Sequence, residues 1–245
     1  MFVKYNTRFN PTTNGDLHLG HVYTALFNER VAHSSGGKFY VRFEDNQSDT
    51  LANFDIDQIH AFYHRQVRAL EWLGFKVDDY IRQSEMELEL KKFVAHHGYW
   101  IPEYKYPFSI PLNPVMGDYN PKEGEWFPYV PYMTYCKVIY DELHGINLLI
   151  RGDDLRSEFS LYQHFRKQMG LPEIAHYYLP RVYGSNDEIV SKFYGARTIL
   201  EYKKADWQPS TIIELLERSV LKEPSEGWHL ANVKRYPRLV EAFNI

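Results

Sequence analysis

Four clusters in this chain combine residue types suited to handling a phosphate and an acid. The first runs Arg8-Phe-Asn-Pro-Thr12-Thr-Asn-Gly-Asp-Leu-His18-Leu-Gly20-His21. His18 and His21 are three apart where a helix should begin, so they share a face. A helix start attracts phosphate through its free N–H groups and its dipole, and Gly20 leaves room for close approach. Two imidazoles there can donate hydrogen bonds to a phosphoryl group during transfer. Alone, H-x-x-H also suits an ordinary surface or core pair, or a metal pair. The second cluster, Gly36-Gly-Lys-Phe-Tyr-Val-Arg42-Phe-Glu44-Asp45, sets carboxylates at a strand end, where a substrate ammonium can pair; a solvated strand end is the plain alternative. The third, Ile150-Arg151-Gly-Asp-Asp154, offers an arginine that can clamp a carboxylate or form a surface ion pair. The fourth, Ser191-Lys192 before Gly195-Ala196, places a lysine on a loop that can follow phosphate charge.

The elements that must position these groups follow from apolar spacing and from breakers. Phe2 to Phe9 reads as a strand ended by Asn10-Pro11, and Asn14-Gly15 as a turn before a helix from near Asp16 to about His33. Gly36-Gly37 then breaks the chain ahead of a strand over Lys38 to Phe43. Ile56, Ile59, Tyr63, Val67 and Leu70 predict an amphipathic helix over 54–73, and a further helix covers 84–97. Seven of the 13 prolines fall in 98–131 among many aromatics, which reads as an ordered, irregular excursion. Strands are expected near 135–141 and 146–151. A helix carrying Leu155, Phe159, Tyr162, Phe165 and Met169 follows, then a strand near 176–183. From about 209 the tail reads as helical, with Ile212, Leu216 and Val220 on one side. Alternating strands and helices predict an α/β domain with a largely parallel sheet. Ligands in such sheets sit beyond the carboxyl ends of the strands.

Composition bounds the partners. The 245 residues suffice for one large domain, and Cys136 is the single cysteine, so no internal disulfide and no cysteine-rich zinc site is expected. Cys136 reads as a packing residue. The formal charge of −4 argues against strong nonspecific nucleic-acid binding. No signal peptide and no run approaching about 18 apolar residues is visible, so a cytoplasmic protein without membrane partners is expected.

In order and spacing, the four clusters together resemble the catalytic domain of class I glutamyl-tRNA synthetases and their shortened relatives, the glutamyl-Q tRNA(Asp) synthetases. His18-Leu-Gly-His21 matches the HIGH signature, and Ser191-Lys192 matches the later half of a KMSKS-type loop. The resemblance spans about 1–75 and 132–200. It implies a Rossmann-like, doubly wound parallel sheet in a catalytic domain over 1–200, a reduced insertion at about 76–131, and a small helical segment over 201–245 without an anticodon-binding domain. It further implies that Arg8 and Arg151 hold a substrate carboxylate, that Thr12 lines the pocket, and that Glu44 pairs with the α-ammonium. His18, Gly20, His21, Ser191 and Lys192 would bind ATP, with His18, His21 and Lys192 acting on the reacting phosphates. Mg²⁺ would accompany ATP, with no dedicated protein metal site.

Three departures bear on function. The family's tyrosine and asparagine that help hold the amino acid correspond to Met133 and Lys137 here, so a neutral contact has become a cation. The lysine that opens the KMSKS-type loop corresponds to Ile189, leaving Lys192. The insertion lacks zinc cysteines, and about 45 residues follow the loop. The expectation is therefore ATP-dependent activation of a glutamate-like amino acid or carboxylic acid, with transfer to a small amine, a carrier protein or another acceptor rather than tRNA. Glutamyl-Q-type tRNA modification and a non-catalytic nucleotide-binding scaffold are the alternatives.

Overall fold

The computed structural model describes residues 3–46, 51, 53–97, 129–179 and 196–221. Strand β1 is Thr7–Phe9, followed by helix α1 (Leu19–Ser34) and β2 (Phe39–Phe43). Helix α2 (Ile56–Leu73) leads to β3 (Asp79–Arg82), a 3₁₀ turn and α3 (Glu87–His97). Beyond the undescribed stretch come α4 (Tyr129–Leu143), β4 (Leu148–Gly152), a 3₁₀ segment (Asp153–Glu158), α5 (Phe159–Gln168) and β5 (Ala175–Leu179). Helices α6 (Ile199–Lys204) and α7 (Pro209–Leu221) close the described chain.

Among the described residues every strand pairing is parallel: β1 with β2, β2 with β3, and β4 with β5. The two groups start side by side. Asn6 N–H donates to Asn147 Oδ1 at 2.8 Å, and Asn147 N–H donates to the Asn6 carbonyl at 3.2 Å. Asn28 on α1 spans the join, donating to the Ile150 carbonyl while its own carbonyl accepts from Thr7 Oγ1. The three-stranded sheet (β1, β2, β3) and the two-stranded sheet (β4, β5) are separate ladders that abut through β1 and β4, which sets the strands side by side in the order β3-β2-β1-β4-β5. In a parallel array, the carboxyl ends of β1 and β4 border the crevice where the order reverses.

One core packs α1 and α2 against the sheet through Val22, Leu26, Val41, Leu70 and Leu148, and α7 adds Ile212 and Leu216. A second joins α3, α4 and α5 through Leu90, Val138, Ile139, Tyr162 and Phe165. Cys136 is buried there, in the packing role expected of it. The Gly36-Gly37 break has two causes. Gly36 takes φ +74°, and a Cβ on Gly37 would lie 2.1 Å from the Tyr5 carbonyl oxygen.

Several elements differ from expectation. Residues 135–141 are helical, not a strand. Tyr135, Val138, Ile139 and Tyr140 are β-favouring types, but burial on several sides of α4 overrides that local preference. The first strand is shorter than 2–9, because side chains take the backbone groups before it: Ser35 Oγ accepts from Tyr5 N–H. Leu155 lies in the 3₁₀ segment, and the helix proper starts at Phe159. Of the stretch assigned to an insertion, 76–97 is described and supplies β3, which pairs directly with β2. Val220 falls on α7, but its side chain is outside the described residues, as are 180–183 of the last expected strand. No described helix is long and apolar enough to cross a membrane.

Candidate functional site

The start of α1 is built by its own histidines. His18 is the N-cap in extended conformation, and its Nδ1 accepts from Gly20 N–H at 3.2 Å. His21 Nδ1 accepts in return from His18 N–H at 3.3 Å, and the rings stack with centroids 3.8 Å apart. This is a capping box with imidazoles in place of hydroxyl and carboxylate. It has a chemical consequence. An Nδ1 that accepts a hydrogen bond carries no proton, so in each neutral ring the proton sits on Nε2. The helix start therefore carries two imidazole Nε2–H groups, while the Gly20, His21 and Val22 backbone N–H groups are engaged within the cap.

The loop before α1 is fastened to the end of β2. Thr12 and Glu44 form a parallel bridge, and Gln66 of α2 donates to the Thr12 and Gly15 carbonyls at 3.0 and 2.6 Å. Glu44 is buried. It accepts from Asn10 Nδ2 at 3.1 Å and from Thr12 Oγ1 at 3.4 Å, and Lys137 Nζ stands 3.4 Å from Glu44 Oε1. Burial pushes the Glu44 carboxyl up, but the Lys137 charge and the Asn10 hydrogen bond outweigh it and hold the group below its ordinary value.

Beneath Glu44 lies a buried centre that the sequence reading missed. Asp141, one helical turn beyond Lys137, accepts from Arg8 Nε at 2.8 Å and Arg8 Nη2 at 3.1 Å. Arg42 Nη1 and the Tyr162 hydroxyl each reach the same carboxylate at 2.8 Å. Burial opposes ionisation of Asp141, yet the charges of Arg8 and Arg42 drive its carboxyl far below the carboxylate range. Arg42 stacks over Tyr140 at 5.3 Å, and its Nε and Nη2 have no partner among the described residues. The signal for this centre was present in the i, i+4 spacing of Lys137 and Asp141. Reading the segment as a strand hid it.

Arg151, at the end of β4, is also buried, but its environment is the reverse. Nη1 donates to Glu158 Oε2 at 3.1 Å, while Nε and Nη2 have no hydrogen-bond partner among the described residues. Its guanidinium lies 5.8 Å from the ring centres of both Tyr162 and Tyr178. That open edge is the same pair of nitrogens with which Arg8 clamps Asp141. A buried, unpaired guanidinium edge is costly unless an acceptor fills it, and a carboxylate matches it bidentately. Next to it, His176 donates from Nδ1 to the Ile174 carbonyl at 3.1 Å, so Nε2 of the neutral ring carries no proton. Burial first, then the Arg151 charge, lower the His176 pKa to about 4.

Of the residues expected to form the site, Arg8, Thr12, His18, Gly20, His21, Glu44, Lys137 and Arg151 are described, and they lie on or after β1, β2, α4 and β4. Met133 stands one turn before Lys137 on α4, with its side chain outside the described residues. Ser191 and Lys192 also lie outside them. The chain that follows returns to the helix start: Thr198 bridges His18, and Ile199 N–H donates to the Leu17 carbonyl at 2.8 Å. Among the described residues no cluster of three or more His, Cys, Asp or Glu side chains suits a metal ion.

Residues 4–96 match the family model of class I tRNA synthetases (E and Q), catalytic domain. The glutamate–tRNA ligase of Dichelobacter nodosus is 29% identical over 272 residues, covering 86% of this chain and 56% of the relative. That of Desulfosudis oleivorans is 25% identical, covering 98% and 60%. A glutamate tRNA ligase from Elizabethkingia meningosepticum, crystallised in complex with its amino acid, superposes with a TM-score of 0.61 at 18% identity, over 87% of this chain and 60% of that one. The enzyme from Elizabethkingia anophelis gives 0.58 at 18% identity, over 87% and 61%. These likenesses bear out the resemblance to the glutamyl-tRNA synthetase catalytic domain and show a shared α/β fold. The chain spans 56–60% of the length of the two curated relatives.

Proposed function

We propose that this protein is an adenylate-forming ligase, which uses ATP to activate a carboxylic acid and releases pyrophosphate. The observation that carries the reading is a pairing at the carboxyl ends of parallel strands. Two imidazole N–H donors sit at a helix start after β1, and a buried arginine with an unfilled carboxylate-binding edge ends the adjacent β4. Such an arrangement suits an anionic nucleotide beside an acid, in a doubly wound, Rossmann-like sheet with HIGH and KMSKS-type motifs.

In the reaction, an oxygen of the substrate carboxylate forms a bond to the α-phosphorus of ATP. The bond from that phosphorus to the bridging oxygen breaks, and pyrophosphate leaves with the electron pair. No proton transfer and no protein nucleophile are needed. The chain's part is positioning and charge stabilisation. His18 and His21 donate to phosphoryl oxygens, Gly20 admits the nucleotide, and Ser191 and Lys192 bind the phosphates, with Lys192 following their charge. Arg151 holds the acid group that is not activated, and Thr12 and Glu44 border it. Mg²⁺ bound to the phosphates of ATP would supply neutralisation of their charge, without a dedicated set of protein ligands. The acidic balance of the chain favours a small amine or a carrier protein over RNA as acyl acceptor, in the cytoplasm where ATP is abundant.

ATP–pyrophosphate exchange with a panel of amino and dicarboxylic acids, with and without tRNA, tests this reading. Exchange with one acid and no RNA is expected. His18→Asn keeps an N-cap side chain but removes the imidazole N–H, and a loss of about 100-fold in exchange is expected. Lack of exchange with every acid, or an unaffected His18→Asn variant, overturns the reading.

A further inference from the structure

Lys137 supplies from within the protein the cation that a carboxylate at the end of β2 would otherwise seek from a ligand. Its Nζ stands 3.4 Å from Glu44 Oε1, Asn10 and Thr12 occupy further acceptor positions on the same carboxylate, and the Glu44 side chain is only 6% exposed. In the four ion pairs at these positions, Arg8 and Arg42 share Asp141, Lys137 pairs with Glu44 and Arg151 with Glu158, so four cations meet three carboxylates. An incoming ammonium would add to that surplus and would have to displace Lys137 from its partner. An incoming acid group reduces the surplus and meets unpaired guanidinium donors on Arg151. An ammonium has three donors, of which the Glu44 oxygen engages one, and the Lys137 side chain keeps 14% of its surface exposed.

From this geometry we infer that Lys137 is a specificity-determining residue that makes the site select a dicarboxylic acid without an α-ammonium over the corresponding amino acid. The inference rests on the acid-activating reading above and narrows its substrate class. Lys137 acts by neutralising Glu44, not on the reacting atoms.

The test compares glutarate with L-glutamate, which differ by the ammonium group, on the full chain. In ATP–pyrophosphate exchange the wild type is expected to use glutarate with kcat/KM at least ten times that for glutamate. Lys137→Asn should shrink that ratio at least tenfold, mainly through KM for glutamate, while Lys137→Arg should preserve it. Glutamate used as well as glutarate by the wild type overturns the inference and leaves acid activation standing. Absence of exchange with every acid overturns acid activation instead. Calorimetric titration of the wild type with the two acids then decides selectivity by itself. Tighter glutarate binding supports the inference; equal or tighter glutamate binding, or binding of neither, overturns it.

Discussion

Arg8 and Arg151 are both buried arginines, on the side-by-side strands β1 and β4, yet one clamp is closed and the other open. The Nε–Nη2 edge of Arg8 is filled by Asp141, whose carboxylate receives four donors in all. The same edge of Arg151 has no acceptor among the described residues. Both side chains are buried, so exposure does not separate them. What separates them is whether the fold brings its own anion. A filled clamp holds elements together, here β1, β2, α4 and α5; an unfilled one, kept at a desolvation cost, is suited to a ligand.

The largest effect should come from breaking the closed clamp. Asp141→Asn strands two buried guanidinium groups without a counter-charge, and a stability loss of about 3–5 kcal/mol is expected in urea unfolding. If Asp141→Asn leaves the denaturation midpoint unchanged, the closed clamp is not structural. Next, Arg151→Met should cost about 100-fold in acid-dependent exchange, equivalent to about 3 kcal/mol at the transition state. Its unfolding free energy should move by less than about 1 kcal/mol, because replacing a poorly paired buried charge with an apolar chain is near neutral. The opposite pattern, preserved exchange with lost stability, would make the two clamps alike.

The surroundings of Arg151 also predict a pH dependence. The His176 pKa falls from 6.5 to about 4 on folding, so the unfolded chain binds more protons between those values. Stability should therefore be fully present above pH 6.5 and decline as pH falls toward 4. Allowing for partial solvent screening, the contribution is about 2 kcal/mol. His176→Phe should flatten the urea midpoint across that window. Asp141 does not account for such a slope, since its depressed carboxyl keeps its contribution until stronger acid is reached. Smallest is a control remote from both clamps. Asp55 caps α2 through Gln58 N–H at 2.7 Å. Asp55→Ala should cost about 1 kcal/mol in unfolding with exchange unchanged.

Much of the frame was legible in the residues. The α2 periodicity, the Gly36-Gly37 break and the start of α1 rest on neighbours a few positions apart, and each stands near its expected place. The failure at 135–141 has a physical origin. Tyr135, Val138, Ile139 and Tyr140 favour strands locally, and only packing against α3 and α5 makes a helix the better burial. With that helix came Asp141, so the misread element and the missed site residue are one error.

The sequence by itself determined the local devices: a helix start carrying two imidazoles, carboxylates at the end of β2, and an arginine at the end of β4. Tertiary structure alone decided which charges meet. Arg8 and Asp141 are 133 positions apart, and Lys137 reaches Glu44 only because α4 packs over the end of β2. A capping box depends on dihedral angles over four residues, whereas an ion pair between distant elements depends on how whole helices and strands register against one another. That registry, not the residue types, fills the Nε–Nη2 edge of one arginine and leaves that of the other without an acceptor among the described residues.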